Sequence, residues 1–187
     1  MKRISDILDF WFLPSSHPEH DKDRAEWWQK SDDFDKEIKS TFLETFEAAE
    51  NGHLLHWCDR ADGSLALIIL LDQFPRNMFR ETPRAFATDG KAREIARHVI
   101  SNGFFDGYTP KQQCFAALPF EHSENIEDQR RSISLFEKIG DENALDFARK
   151  HFVIIEKFGR FPHRNDILGR KSTDAEVQFL TQPNSSF

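Results

Sequence analysis

The sequence is poor in the residues that mark secreted and disulfide-rich proteins. It contains two cysteines and one tyrosine among 187 residues. Cys58 and Cys114 stand far apart and form no C-x-x-C pair. We therefore expect no disulfide framework and a location in the reducing cytoplasm. The opening stretch MKRISDILDFWF carries Asp6 and Asp9. It therefore lacks the uninterrupted apolar core of a signal peptide.

Positive charge and long apolar runs are scarce as well. Lysine and arginine total 25 against 32 aspartates and glutamates, which gives a net charge of −7. This balance argues against general binding to nucleic acid. The longest apolar run, LALIILL at 65–71, has seven residues, whereas a helix that spans a bilayer needs about 20. We therefore expect neither a nucleic-acid partner nor a membrane span.

Strand alternation is absent from the pattern, and helix signals follow one another along the whole chain. Helix starts are predicted at Ser31, Asp62, Thr82 or Asp89, Thr109, Ser123, Asp141 and Thr173. Helix ends are predicted at Pro14, Gly52, Pro75, Gly103, Pro119, Gly140 and Gly159. The segment LALIILLDQF is apolar on every side, which predicts a central buried helix. The sequence thus predicts an all-α protein, a single domain over 1–187 with roughly eight to ten antiparallel helices.

Four longer motifs and ILDFWF near the start form a recognisable set. The four are LALIILLDQFPRNMFR (65–80), AFATD (85–89), LPFEHSENIEDQ (118–129) and HFVIIEKFGRFPHRNDILGR (151–170). Together they resemble the bacterial family known as domain of unknown function 924. The resemblance covers essentially the whole chain and implies a helical array similar to tetratricopeptide-repeat proteins. It implies no particular activity and names no catalytic residues.

The stretch KFGRFPHRNDILGR predicts an anion site. Residues 149–171 carry seven basic side chains against Glu156 and Asp166, a local charge of +5. If Pro162 opens a short helix, the free N–H groups of the residues after it, His163, Arg164 and Asn165, attract anions. Arg160 and Arg164 add bidentate contacts to a carboxylate or phosphate. The alternative is that the arginines pair with acids on neighbouring helices, such as the acidic face of residues 31–50.

A second stretch, DQFPRN at 72–77, resembles FPHRN because Phe-Pro is again followed by an arginine and an asparagine, here Arg76 and Asn77. Both stretches are predicted to lie at helix junctions. DQFPRN begins with Asp72, an acid at the end of an apolar helix, which needs a partner if it is buried. One hypothesis joins the two junctions in a single polar pocket. Its members would be Asp72, Arg76, His122, His151, Arg160 and Arg164.

Two histidines are candidates for proton transfer. His122 follows Glu121 in LPFEHSE, and a histidine beside carboxylates can act as general acid or base. The alternative is that His122 only bonds a backbone carbonyl. His151 falls on an apolar helix stripe with Phe147 and Ile154, a position more typical of a core histidine with one satisfied nitrogen.

Metal and cofactor signals are weak. His53, His56 and Cys58 lie close together, but Gly52 ends a helix there and no second pair of ligands is spaced to match. A glycine-rich phosphate loop, a G-x-S-x-G elbow and H-E-x-x-H are missing from the sequence. We expect no metal and no cofactor.

Two functions of different class remain. The first is a site for a small anionic ligand, with or without a catalytic role. Its predicted binding residues are Arg76, Asn77, Glu121, Arg160, His163, Arg164 and Asn165, with Asp72, His122 and His151 as catalytic candidates. The alternative is a tetratricopeptide-like scaffold that binds an acidic peptide or a C-terminal carboxylate. The sequence leaves the reaction, the ligand and the oligomeric state open.

Overall fold

The structure, a computed structural model, describes residues 1–183 and 185–186, and over these residues it is helical without strands. The prediction of an all-α protein is confirmed. The α-helices are α1 (Ile4–Phe12), α2 (Ala25–Trp28), α3 (Asp32–Glu50), α4 (Ala61–Ile68), α5 (Phe74–Met78), α6 (Asp89–Ser101), α7 (Pro110–Glu121), α8 (Ile126–Ile139), α9 (Glu142–Phe158) and α10 (Asp174–Leu180). Short 3₁₀ segments lie at Leu55–Asp59, Pro83–Phe86, Phe105–Gly107 and Pro162–Arg164, and a π-helical segment at Ile69–Gln73.

The described chain groups into two compact units. The first holds Met1–Arg80 and Arg84–Pro119, and the second holds residues 81–83 and those from 120 onward. A single domain and a tetratricopeptide-like arrangement both stay predictions. No helix of the described residues is long and apolar enough to cross a bilayer.

The centre of the first unit is the continuous helical run of α4, the π segment and α5. Its residues from Gly63 to Pro75 are all buried. The run contacts α1, α3 and α6. The prediction that LALIILL forms a central buried helix is therefore correct, because a helix that is apolar all round needs neighbours on every face.

The prediction that Pro75 ends this helix is wrong. The N–H of Phe74 donates to the carbonyl of Ile69, which is π-helical spacing, and the helix continues to Met78. Pro75 lies in the first turn of α5, where a missing N–H is tolerated. Burial of the apolar side chains around the run outweighs the local preference of the residue before proline.

Pro119 does not break α7 either, because the helix continues to Glu121. The cap of α8 is also displaced from the predicted Ser123. Asn125 Oδ1 accepts from the N–H of Glu127 at 2.8 Å, whereas Ser123 Oγ donates to the buried carboxylate of Asp128 at 2.8 Å. The buried acid thus takes the hydroxyl that the sequence assigned to the helix end.

Other predicted boundaries are confirmed. Ser31 Oγ accepts from the N–H of Phe34 at 3.3 Å and caps α3, and Asp141 Oδ1 accepts from the N–H of Ala144 at 3.1 Å and caps α9. Gly140 ends α8 with φ of 80°, a left-handed conformation that favours glycine.

The second unit is built on a helical hairpin. Its two helices, α8 and α9, are joined by Gly140 and Asp141 and pack against each other. Its apolar core holds Ile154, Ile155 and Phe161, with Ile126, Phe158 and Phe179 packed against them. The 3₁₀ segment Pro162–Arg164 follows α9 and contacts α10. The predicted T-x-x-E capping box at Thr173 opens α10.

Candidate functional site

The predicted residues of the first unit lie in an aspartate–arginine cluster, whose members are Asp35, Asp72, Arg76, Asn77, Arg80 and Asp89. Asp72 is 0% exposed, and Gln73 donates to its carboxylate. Arg76 makes a bidentate contact with Asp89 at 2.9 and 3.1 Å. Arg76 Nη1 also lies 3.6 Å from the carboxylate of Asp72, which precedes Arg76 by one helical turn.

The other half of this cluster is centred on Asp35 of α3. Asn77 Nδ2 donates to Asp35 Oδ1 at 2.8 Å, and Arg80 Nη2 donates to the same oxygen at 3.0 Å. Burial alone would lower the pKa of Arg76, but the nearby aspartates Asp89 and Asp72 raise it above its ordinary value. Arg76 and Asn77 thus both contact protein carboxylates.

The predicted histidines lie in the second unit, in a histidine cluster of Glu121, His122, His151, His163 and Arg164. His151, His163 and Arg164 of this cluster pack against the ring of Phe161. Glu121 is the last residue of α7 and His122 follows it, His151 lies in α9, and His163 and Arg164 lie in the 3₁₀ segment. The ring centroids of His122 and His151 are 6.5 Å apart. His151 and His163 each lie 5.5 Å from Phe161. The fold thus brings together five side chains from three segments of the sequence, with 42 positions between His122 and Arg164.

His151 has a defined tautomer. Its Nδ1 lies 2.9 Å from the carbonyl oxygen of Phe147 and 3.4 Å from Glu121 Oε1. Since a carbonyl can only accept, Nδ1 carries the proton and Nε2 has the lone pair in the neutral ring. The ring is 5% exposed, and burial lowers the pKa of His151 to about 3, with smaller contributions from His122, Arg164 and His163.

His163 is also neutral near pH 7. Burial and, to a lesser extent, the guanidinium of Arg164 lower the pKa of His163 to about 4. Arg164 is 7% exposed, donates to the carbonyl oxygen of His122 at 3.1 Å and lies 4.5 Å from the centroid of Phe161. The cluster therefore combines one buried carboxylate, one buried guanidinium and at least two neutral imidazoles.

The remaining arginines of the basic stretch are paired with acids. Arg160 contacts Glu176 at 2.6 and 2.7 Å and holds the pKa of this carboxyl at about 2. Arg170 contacts Glu124 at 2.7 and 2.9 Å and also donates to the carbonyl of Phe161. Arg149 and Lys150 contact Glu137 and Asp146, so four acids outside residues 149–171 pair with cations inside this stretch and reduce its formal charge of +5 to +1.

Asn165 is 1% exposed and donates from Nδ2 to Ser172 Oγ at 3.0 Å. Its Oδ1 is buried and has no hydrogen-bond partner in the described part of the chain. A buried amide oxygen without a partner is unfavourable. The roles assigned to the site residues from the sequence all stay predictions.

Two acids that complete the ion pairs of the second unit were not predicted from the sequence as partners of Arg170 and Arg160. Glu124 is not among the residues predicted for the site, yet it binds Arg170 and accepts from the N–H of Phe161 at 2.8 Å. Glu176 was assigned to a capping box and in addition pairs with Arg160. These acids are separated from their arginines by 46 and 16 positions, so that only the fold reveals the pairs.

A groove of about 550 Å³ lies elsewhere in the second unit, between the start of α8 and the end of α9. It is lined by Glu124, Asn125, Ile126, Glu127, Arg130, Ile155, Glu156 and Gly159. Its three glutamates disfavour an acidic ligand. Among the described residues, no group of three or more histidine, cysteine, aspartate or glutamate side chains is placed to hold a metal ion.

Comparison with known proteins agrees with the family resemblance. Residues 7–184 match the family model described as bacterial protein of unknown function (DUF924). A solved structure, described as a protein of unknown function, ATU0120 from Agrobacterium tumefaciens, has 40% identity and a TM-score of 0.85, with coverage of 95% of this chain and 96% of that chain. No curated protein matches the sequence.

Proposed function

The chain belongs to the DUF924 family of bacterial proteins, and from the geometry of its own side chains we propose that it binds a small oxyanion at the histidine cluster. The observation that carries the proposal is the packing of His151, His163 and Arg164 against the ring of Phe161, with His122 beside His151, all within one unit. Imidazole and guanidinium N–H groups are the donors that bind carboxylate and phosphate oxygens in proteins. The proposed place of action is the reducing cytoplasm, in keeping with two free cysteines.

We further propose that the site is catalytic as well as ligand-binding. His151 Nε2 has the lone pair that a general base needs, and Glu121 lies beside Nδ1 on the opposite side of the ring. A carboxylate in that position orients the ring and stabilises its protonated form. In this form of the proposal, His151 is the acid–base candidate and Arg164 contacts the anion.

The alternative function, a scaffold for an acidic peptide, has less support. The basic side chains proposed to hold the peptide, Arg160 and Arg170, each contact a glutamate through two nitrogens. The groove of the second unit carries three glutamates and one arginine. An acidic peptide would meet like charge there, which opposes binding.

The test is a thermal-shift and calorimetric titration with sulfate, phosphate, acetate and citrate near pH 6. Wild-type protein should be stabilised by at least one of these anions. His163→Asn should weaken this effect, while His17→Gln, a change at an exposed loop histidine of the first unit, should leave it intact.

The variants separate binding from folding. If His163→Asn keeps the unliganded melting temperature of the wild type and loses the stabilisation by anions, the residue belongs to the binding site. Equal stabilisation of the wild type and His163→Asn would contradict the proposed site. So would the absence of any effect of the four anions on the folded wild type.

A further inference from the structure

We propose that the oxyanion bound at the histidine cluster is accompanied by protons, which are taken up by His151, His163 or both. This inference rests on the function proposed above and adds the charge state of the site. It follows from a count of the charges that the fold places around the two rings.

The permanent charges near the cluster cancel. His151 faces Glu121 and His122 from the end of α7, and His163 and Arg164 from the 3₁₀ segment. His163 faces Arg164, His122 and the ion pair of Glu124 with Arg170. Glu121 and Glu124 supply two negative charges and Arg164 and Arg170 two positive charges, so the formal sum is zero when the histidines are neutral.

An anion cannot enter such a site without a compensating cation. His151, Glu121 and Arg164 are each less than 9% exposed, and burial of an uncompensated charge is strongly unfavourable. Arg160 and Arg170 already contact Glu176 and Glu124 through two nitrogens each. The groups of the cluster that can gain positive charge are its histidines.

The resting state of the histidines agrees with this reasoning. The pKa values of His151 and His163 are about 3 and about 4, so both rings are neutral near pH 7. An anion placed between them raises both pKa values, since a nearby negative charge favours the protonated form. Protons then bind together with the anion, and the affinity for the anion falls as the pH rises.

This mechanism predicts a preference for one class of ligand. Weak oxyacids whose protonated form persists near neutral pH, such as phosphate monoesters and inorganic phosphate, can bring the required proton with them. Strong acids must instead draw it from the solvent. The histidine cluster is thus suited to phosphate-type ligands, while sulfate is the probe that isolates the protonation of the protein, because it remains a dianion at all pH values of the test.

The test is a calorimetric titration of the full chain with sulfate at roughly pH 5, 6, 7 and 8 and constant ionic strength, with the fold checked by circular dichroism at each pH. We expect the association constant to fall about tenfold per pH unit for each proton taken up. Repeating the titration in two buffers of different ionisation enthalpy counts the protons directly, without any variant.

The matched variant is His151→Asn, whose amide keeps a donor near the position of Nδ1 but cannot be protonated. It should bind sulfate with a weaker dependence on pH, and the same change at exposed His17 should not alter the slope. Sulfate binding with the same affinity at every pH would overturn the proton uptake while leaving the anion site in place. Absence of sulfate binding by the folded protein at every pH would overturn both proposals.

Discussion

Gly63 at the start of α4 is the position where one added methyl group should be most damaging. A Cβ built there would lie 2.2 Å from the backbone oxygen of Trp57 and 3.0 Å from its carbonyl carbon. Ordinary contact of a Cβ begins near 3.4 Å, so the helix and the 3₁₀ segment Leu55–Asp59 must separate by about 1.2 Å, the difference between the two distances.

The 3₁₀ segment cannot move away freely. Ser64 Oγ donates to the carbonyl of Cys58 at 3.3 Å, and His98 Nε2 lies 2.9 Å from the same oxygen. Overpacking against held backbone costs about 3 kcal/mol, and the better helix propensity of alanine returns about 1 kcal/mol. We expect Gly63→Ala to lower the free energy of unfolding by about 2 kcal/mol and the melting temperature by about 4–8 °C.

Urea unfolding followed by circular dichroism measures this change, and Gly90→Ala is its control. Gly90 is exposed in α6 and has no atom within 4 Å of an added Cβ. Alanine there should raise the free energy of unfolding by about 0.4–1 kcal/mol. The two substitutions should therefore have opposite signs. A neutral or stabilising effect of Gly63→Ala would refute the close approach of α4 to the 3₁₀ segment.

Three further predictions concern other contacts. Arg76→Ala leaves the buried carboxylate of Asp72 without this cation, and urea unfolding should show a loss of about 3–5 kcal/mol; unchanged stability would contradict the cluster. Phe161→Ala removes a ring that is 0% exposed and should cost about 3–5 kcal/mol in the same assay, whereas a loss below about 1 kcal/mol would contradict its core position. Arg160 lowers the pKa of Glu176 from 4.5 to about 2, so the stabilisation of α10 should be complete above pH 4.5 and lost as the pH falls towards 2. Amide exchange, corrected for the intrinsic exchange rate, should show this loss of protection in α10 of the wild type. In Glu176→Gln the protection of α10 should be independent of pH. The same dependence on pH in both proteins would contradict the ion pair.

Helix caps and the central helix could be predicted from the sequence because their causes are local. Ser31, Asp141 and the Thr173 capping box each act within three residues of their own position. Pro75 and Pro119 were misjudged because burial of apolar neighbours over the whole helix outweighs a preference that acts on one residue.

The charge of the candidate site could not be predicted because its determinants are distant. A window of residues 149–171 counts Arg160 and Arg170 as available cations, yet Glu176 and Glu124 lie outside it. Pairing of a charge over 46 positions depends on the packing of whole elements. The same reason explains why His122 and His151 could be named as candidates while the packing of His151 and His163 against Phe161 could not.

The most direct test of the account is the protonation state of the two buried histidines with and without an anion. ¹⁵N NMR of the imidazoles at about pH 5.5 distinguishes the neutral ring from the imidazolium. We expect that His151 and His163 are both neutral without sulfate and that saturation with sulfate protonates at least one of them. Rings that are already protonated without sulfate, or rings that stay neutral at saturation, would contradict it.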